Sequence, residues 1–321
     1  MTAVVERVDG LERFEVDGVP CVSYPQLTGS VDVGDDVVVN VQARELGLGS
    51  GGFDVLYVNL SRGLEARADA GAHVMKLPYT PVQFAAAHLE ETRETRSALG
   101  GMPVVCCTLH SQVAPVCAGI GGGVRVAYVQ VAGGALSVSL SDSVRGLRAR
   151  GLVERTISVG ACFGGDATAV TLASALSWAA AEELDAVVCA IGPGIVGTST
   201  PYGHGGVAAA EAANAAGALG GTPVIAVRAS EADARDRHRG MSHHMRAVFD
   251  LCLVDVRIAR PAGRLRDELD AEPGVVEVDV SDWRDACGGL ALSHMGRGPD
   301  DDPLFFETAF AAGRLARSLV R

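Results

Sequence analysis

Met102-Pro103-Val104-Val105-Cys106-Cys107-Thr108-Leu109-His110-Ser111-Gln112 decides the fold. Its apolar run is too short to be a buried helix. It breaks off on small and polar residues, which is the pattern of a strand covered on both faces. The same pattern returns at residues 124–131, 156–159, 186–191, 223–228 and 251–256. Helical stretches are expected between these runs at 142–150, 167–183 and 207–219, and a His-rich helix start follows the fifth run. Short apolar strands alternating with helices predict βαβ units. The expected fold is α/β: a mostly parallel open sheet with helices on both faces. Asp302-Pro303 then opens a last helix, with an N-cap and a proline at the first position.

Upstream the chain changes character. Short β-branched runs separated by Gly10, Gly18 and a Gly34-Asp35 turn predict a small N-terminal β module, barrel-like, over residues 1–65. Gly47 to Gly52 reads as a glycine-rich loop. Residues 66–321 are assigned to the α/β domain, and residues 82–99 are expected to form a helix behind Pro81.

The bulk composition excludes several classes. With 321 residues, 48% of them hydrophobic, the chain can bury a sizeable core. Its net charge is −12, and it has no Lys/Arg-rich run to face a nucleic acid. The most apolar helical stretch, 167–181, is shorter than a membrane span, and Met1-Thr2-Ala3-Val4-Val5-Glu6-Arg7 lacks the apolar core of a secretory signal. The eight cysteines include no C-x-x-C pair. Buried free thiols in a reducing compartment are expected, and a cytoplasmic location with them. Lys76 is the only lysine, and it stands between Met75 and Leu77. A P-loop, which needs Gly-Lys-Ser/Thr, is therefore absent, and any Schiff-base chemistry through a lysine would fall to Lys76. The plainer account of Lys76 is an arginine-biased composition.

In open α/β sheets ligands sit beyond the carboxyl ends of the strands, where the chain order switches. Those ends carry His110-Ser111-Gln112, Gly133-Gly134, Gly164-Gly165-Asp166 and Gly192-Pro193-Gly194. Glycines there let backbone N–H groups approach a ligand, although each alone also suits a tight strand–helix turn. His110, Ser111, Gly164, Gly165, Gly192 and Gly194 are therefore expected to line a ligand crevice. Thr198 and His204 belong to a loop expected to cover it. Gly192-Pro193-Gly194-Ile195-Val196-Gly197 matches G-x-G-x-x-G. The later glycines and Pro201 argue that no helix opens inside it, and the next strand ends in Arg228 rather than an acid, so a nicotinamide site is disfavoured.

Asp233-Ala234-Arg235-Asp236-Arg237-His238-Arg239-Gly240-Met241-Ser242-His243-His244 is the second dense segment. Ser242 is expected to cap a helix with His243 and His244 in its first turn. Adjacent helical residues diverge by about 100°, which hinders joint ligation of one metal, and H-E-x-x-H is absent. His238 with one of the pair and a distant carboxylate would be needed for a metal site. Arg235, Arg237 and Arg239 at a helix start suit an anion better. The plainer account is a solvated, salt-bridged loop. Asp166 and Asp302 are expected to cap helices. Ser293-His294-Met295-Gly296-Arg297-Gly298 is a glycine-flanked loop that could reach the crevice.

Several segments together carry a family resemblance. They are Tyr24-Pro25-Gln26-Leu27-Thr28-Gly29, Glu45-Leu46-Gly47-Leu48-Gly49-Ser50-Gly51-Gly52, His73-Val74-Met75-Lys76-Leu77, Leu109-His110-Ser111-Gln112, Gly192 through Thr198, His238-Arg239-Gly240-Met241-Ser242-His243-His244 and Met295-Gly296-Arg297-Gly298. The chain resembles the bacterial family catalogued as domain of unknown function 3866 over nearly its whole length. That resemblance implies a two-part bacterial protein and no activity.

The residues themselves point first to an enzyme acting on a small anionic metabolite, phosphorylated ones included. His243 or His238 would be the acid/base, Lys76 an electrostatic clamp, and Arg239 an anion contact. Two alternatives stand beside it: a non-catalytic ligand sensor or interaction protein, and a metal-dependent hydrolase using His238, His243 and His244. No cofactor is indicated, no nucleic acid or membrane partner is expected, and a homodimer is the commonest assembly for such a chain.

Overall fold

The computed structural model describes residues 3–47, 51–62, 69–92, 95–96 and 98–321. The chain divides into two compact units, 1–88 and 89–321. The sequence reading drew the boundary after residue 65. Part of that region, 63–68, lies outside the described residues, as do residues 48–50 of the glycine-rich loop.

The first unit contains β1 (Ala3–Val8), β2 (Leu11–Val16), β3 (Val19–Ser23), α1 (Pro25–Thr28), β4 (Val37–Asn40), α2 (Gln42–Glu45), β5 (Asp54–Asn59), β6 (Val74–Lys76) and β7 (Phe84–Ala86). Five strands form a mixed sheet of linear order β1-β2-β3-β5-β4, and β6 pairs with β7. Asp17 and Gly18 both take left-handed φ, 51° and 79°. This is the primed turn that lets β2 and β3 pair with a two-residue loop. Phe14, Cys21, Val31 and Leu56 form this unit's core. The helix expected over 82–99 is replaced by β7 and a four-residue helix, α3 (Leu89–Thr92), which belongs to the second unit. Phe84 and Ala86 alternate inward with strand period, and pairing with β6 overrides the helical reading.

The second unit continues with β8 (Pro103–Cys107), α4 (Val113–Ile120), β9 (Val126–Val131), α5 (Asp142–Ala149), β10 (Arg155–Val159), β11 (Ala167–Ala169), α6 (Leu172–Ala181), β12 (Ala186–Ile191), α7 (Ala208–Ala218) and β13 (Thr222–Ala226). Then come β14 (Ala229–Ser230), β15 (Gly240–Met241), α8 (His243–Leu251), β16 (Arg257–Pro261), α9 (Arg266–Leu269), β17 (Val275–Val278), α10 (Trp283–Ala286) and α11 (Pro303–Leu319). Eight parallel strands run in the order β11-β10-β9-β12-β8-β13-β16-β17. Their residues alternate between faces. Val104 and Cys106 join α6, α7 and α8 in one core layer. Val105 and Cys107 join α4, α5 and α11 in the other. The fold class is therefore α/β, as the apolar runs predicted. Among the described residues no helix is long and apolar enough to cross a membrane.

Four expectations are corrected. The stretch 167–183 is not one helix: 167–169 pair with β10 as an edge strand, and α6 starts after Thr171, whose hydroxyl accepts the Ser174 N–H at 3.1 Å. Residues 251–256 are not the sixth strand of that run. Helix α8 reaches Leu251, and the Asn214 amide takes the Leu251 carbonyl at 3.0 Å and the Leu253 N–H at 2.7 Å. With those groups satisfied off the sheet, the ladder resumes only at Arg257. Asp166 does not cap a helix. It accepts the Thr156 N–H and hydroxyl at 2.8 and 3.0 Å and pairs with Arg148 at 2.9 Å. Asp302 occupies the N-cap position of α11 without capping it. Its carboxylate instead accepts Ser230 Oγ at 2.6 Å, the Glu231 N–H at 2.9 Å and Arg297 Nε at 3.2 Å.

Candidate functional site

The strand order creates two switch points. After β9 the chain turns toward the β11 edge, and after β12 toward the β17 edge. The same divergence separates β8 from β13. Ligand crevices are expected at such points. The two are not alike.

Between β9 and β12 the crevice is filled by the chain itself. Ala135 N–H donates to the Pro193 carbonyl at 2.7 Å, and Val196 N–H to that of Gly133 at 3.0 Å. A Cβ on Gly192 would lie 2.0 Å from Ala135 O, on Gly134 2.3 Å from Gly192 O, and on Gly205 2.2 Å from Gly133 O. These glycines allow backbone to meet backbone, so their N–H groups do not form a free cradle. The loop beyond closes on itself: Thr198 N–H donates to Gly203 O at 2.7 Å, and its hydroxyl donates to the same oxygen at 3.0 Å. Gly194 and Thr198 are exposed on this hairpin. Gly164 and Gly165 follow β10, and Gly165 is held close to the Thr156 carbonyl.

The end of β8 is bolted to the end of β13 by Gln112. Its Oε1 accepts from Thr108 N–H, Thr108 Oγ1 and Leu109 N–H at 2.9, 3.0 and 3.1 Å. Its Nε2 donates to the carbonyls of Ala226 and Val227 at 3.1 and 3.0 Å. His110 is also committed to protein: Nδ1–H donates to the Ile191 carbonyl at 3.1 Å, and Nε2 accepts from Ser141 Oγ at 2.7 Å. Burial holds its pKa down to about 4, so this ring is a neutral tie. Ser111 Oγ meets His294 Nδ1 at 3.2 Å, and His294 stacks on Phe305 at 3.7 Å.

Beyond β13 lies the polar cluster. Arg228 is 2% exposed; its Nη1 donates to His244 Nδ1 at 3.1 Å, and its Nη2 is buried with no partner. Four imidazoles pack around it. His204 stacks on His244 at 3.6 Å and 8°. His243 lies 4.3 Å from His244, and His238 lies 4.9 Å from both His243 and His244. Ser242 makes this arrangement possible. It caps α8 by accepting the His244 N–H at 3.3 Å, and its Oγ meets His238 Nδ1 at 2.7 Å. Among the described residues, the buried imidazole nitrogens without a partner are His204 Nδ1, His243 Nε2 and His294 Nε2.

Burial, then the charge of Arg228 and Arg235, holds His238 down to about 3. Burial and the neighbouring His204 and Arg228 hold His244 down to about 2. Burial and then Arg228 and Arg297 hold His294 down to about 3. His204 and His243 are lowered too, in both cases chiefly by burial. Arg228 itself falls only to about 10, again by burial, and so remains charged at neutral pH. Its acidic neighbour is already engaged: Asp233 accepts from Arg235 Nε and Nη2 at 2.9 Å each, and from Arg297 at 3.5 Å. The Arg235 guanidinium and backbone N–H hold the Asp233 carboxyl well below the usual range, against the opposing effect of burial.

The description "protein of unknown function (DUF3866)" belongs to the family model that matches residues 20–313. The chain belongs to the DUF3866 family. No curated protein and no solved structure matches it. The family match takes in residues of both compact units.

Of the residues picked out from the DUF3866 sequence, His204, His238 and His243 are brought together. Arg239 is exposed at the rim, paired with Asp236 at 3.7 Å. Lys76 is buried on β6 of the first unit. Sequence reasoning missed Arg228 as a site residue; it quoted Gln112 in a strand end without giving it a role, and it placed His294 only on a loop that could reach the crevice. The available signal was Arg228 itself, a charge closing an apolar strand that buries every other side chain from Pro223 to Val227.

His238, His243 and His244 each bring a nitrogen within 4.8 Å of the others, the spacing of a loose metal triad. Arg228 opposes that use. A guanidinium only donates, so neutral His244 must accept at Nδ1 and carry its proton on Nε2. While that bond holds, the ring has no lone pair left for a metal, and Arg228 places a cation beside the triad.

Proposed function

We propose that this DUF3866 protein is an enzyme that binds a small anionic metabolite at the β8/β13 switch point, with Arg228 as the anion anchor and His243 as the acid/base. The observation that carries this reading is Arg228 Nη2, a charged donor buried without an acceptor. A buried charge without a partner is strongly unfavourable, and an anionic ligand supplies what the protein withholds. His243 is the half-buried member of the α8 pair, and its Nε2 has no protein partner. Neutral near pH 7, it is in the form that accepts a proton. The eight unpaired cysteines support a reducing, cytoplasmic setting.

The test is turnover across a library of phosphorylated and carboxylated metabolites, followed by NMR. The expected outcome is conversion of one class of anion, lost by about 100-fold or more in His243→Gln while binding persists. Binding of anions without turnover of any would favour the sensor reading instead. Equal activity in Arg228→Gln and wild type would remove the anchor.

A further inference from the structure

We infer that the group seated against Arg228 is a tetrahedral oxyanion, a phosphoryl or sulfuryl group, and that it enters together with a proton taken up by the imidazole cluster. This rests on the anion-site reading above and adds the shape of the ligand and its proton.

The shape follows from where the donors point. A carboxylate offers two coplanar oxygens and is matched by an unbroken guanidinium fork. Arg228 has one wholly unmet donor group, Nη2, beside an Nη1 that already spends one of its two N–H groups on His244, so it offers a single-point contact more readily than an even fork. Three of the surrounding rings are mutually tilted, His244 by 55° to His243 and 79° to His238, and His238 by 43° to His243, while His204 lies parallel to His244. Their N–H groups leave in several directions, which suits three or four oxygens arranged about one atom.

The proton follows from the lone pairs. His204 Nε2 faces the Pro201 carbonyl at 3.0 Å, which can only accept, so the neutral ring carries its hydrogen there. Its Nδ1 is then a bare, buried lone pair with no donor. Gly206 leaves that nitrogen uncovered, since a Cβ there would stand 3.0 Å from it. An oxyanion oxygen opposite a lone pair is repelled. A protonated ring turns the same nitrogen into a donor.

The charges around the cluster point the same way. Arg228 reaches it from the end of β13. Asp233, Arg235 and Arg237 lie on the loop before α8, and Asp233 and Arg235 neutralise each other. Arg297, before α11, is held by Asp302 and Asp233. The imidazoles of His204, His238, His243, His244 and His294 are neutral. Arg237 acts on His243 but is exposed and screened by water, so Arg228 is the one buried unmatched positive charge at the site, and a dianion against it leaves an excess negative charge that protonation of His204 or His243 removes.

Calorimetric titration of the full chain with sodium sulfate tests this, in two buffers of different ionisation enthalpy. Sulfate carries no proton near neutral pH, so any uptake belongs to the protein. The expected result is on the order of one proton per sulfate, with affinity rising about tenfold per pH unit of acidification, and acetate binding far more weakly. His204→Gln and His243→Gln should each still bind sulfate, one or both with reduced uptake. Sulfate binding without proton uptake overturns the coupling and leaves the anion site standing. Acetate binding as tightly as sulfate overturns the tetrahedral preference. Failure of both anions to bind, with Arg228→Gln behaving as wild type, removes the anion site itself.

Discussion

At Gln112 one amide answers five polar contacts, three on the turn after β8 and two carbonyls at the end of β13. The residue is fully buried, so nothing else can satisfy those groups. Gln112→Leu keeps the bulk and removes every bond. A destabilisation of about 3 kcal/mol or more is expected, because each buried group left unmet costs roughly 1–3 kcal/mol; urea denaturation measures it. A loss below about 1 kcal/mol would mean the turn reorganises around water. Sequence reading could mark His110-Ser111-Gln112 as a strand-end cluster but ranked it by chemical reactivity. The reactive-looking ring is a tie between Ile191 and Ser141, and the unreactive amide joins the end of β8 to the end of β13. Its two carbonyl partners lie more than a hundred residues away in the chain, and no local pattern announces them. Arg228 and His204 stand on different elements with α7 and β13 between them, whereas His238, His243 and His244 were legible because they share one short stretch of chain.

Elements show why the glycine-rich strand ends were only half legible. That they flank a switch point follows from the alternation of apolar runs and helices, which the sheet reproduces at β8, β9, β10, β12 and β13. What the glycines do there depends on which loops become neighbours. Gly192 belongs to a close backbone contact with Ala135, and Gly192→Ala forces a Cβ to within 2.0 Å of that carbonyl. Overpacking of this kind costs typically about 1–3 kcal/mol. The loop carrying His204 hangs from the same contact, so anion binding should fall with stability. Gly146→Ala is the control: it lies inside α5 with nothing within 4 Å, and should stabilise by about 0.5–1 kcal/mol. Thermal unfolding of the pair separates packing from propensity; equal shifts would refute the contact argument. Where the alternation misled, at 167–171, 251–256 and 82–99, local apolar character was real but its hydrogen bonds went to an edge strand, to Asn214 or to β6.

Across the whole molecule the buried imidazoles set the acid limit. His110, His238, His244 and His294 have folded pKa values of about 4, 3, 2 and 3, all lowered from an ordinary 6.5 by burial first. A base held neutral in the folded state binds its proton only when the chain unfolds. The stabilising contribution of such a group is complete above the unfolded value of 6.5. It is lost progressively as pH falls toward the folded values. Between those limits the unfolded chain binds on the order of four more protons than the folded one through these groups alone. Stability should therefore drop steeply from about pH 6.5 downward, before most carboxylates begin to titrate near pH 4. Denaturation midpoints across that range test it, and His238→Gln should flatten the slope by about one proton's worth. A sulfate-saturated sample should resist the acid loss, because an anion in the cluster favours the protonated rings in the folded state. A pH-independent midpoint down to about pH 5 would mean the imidazoles are already charged, and the neutral cage around Arg228 would have to be abandoned.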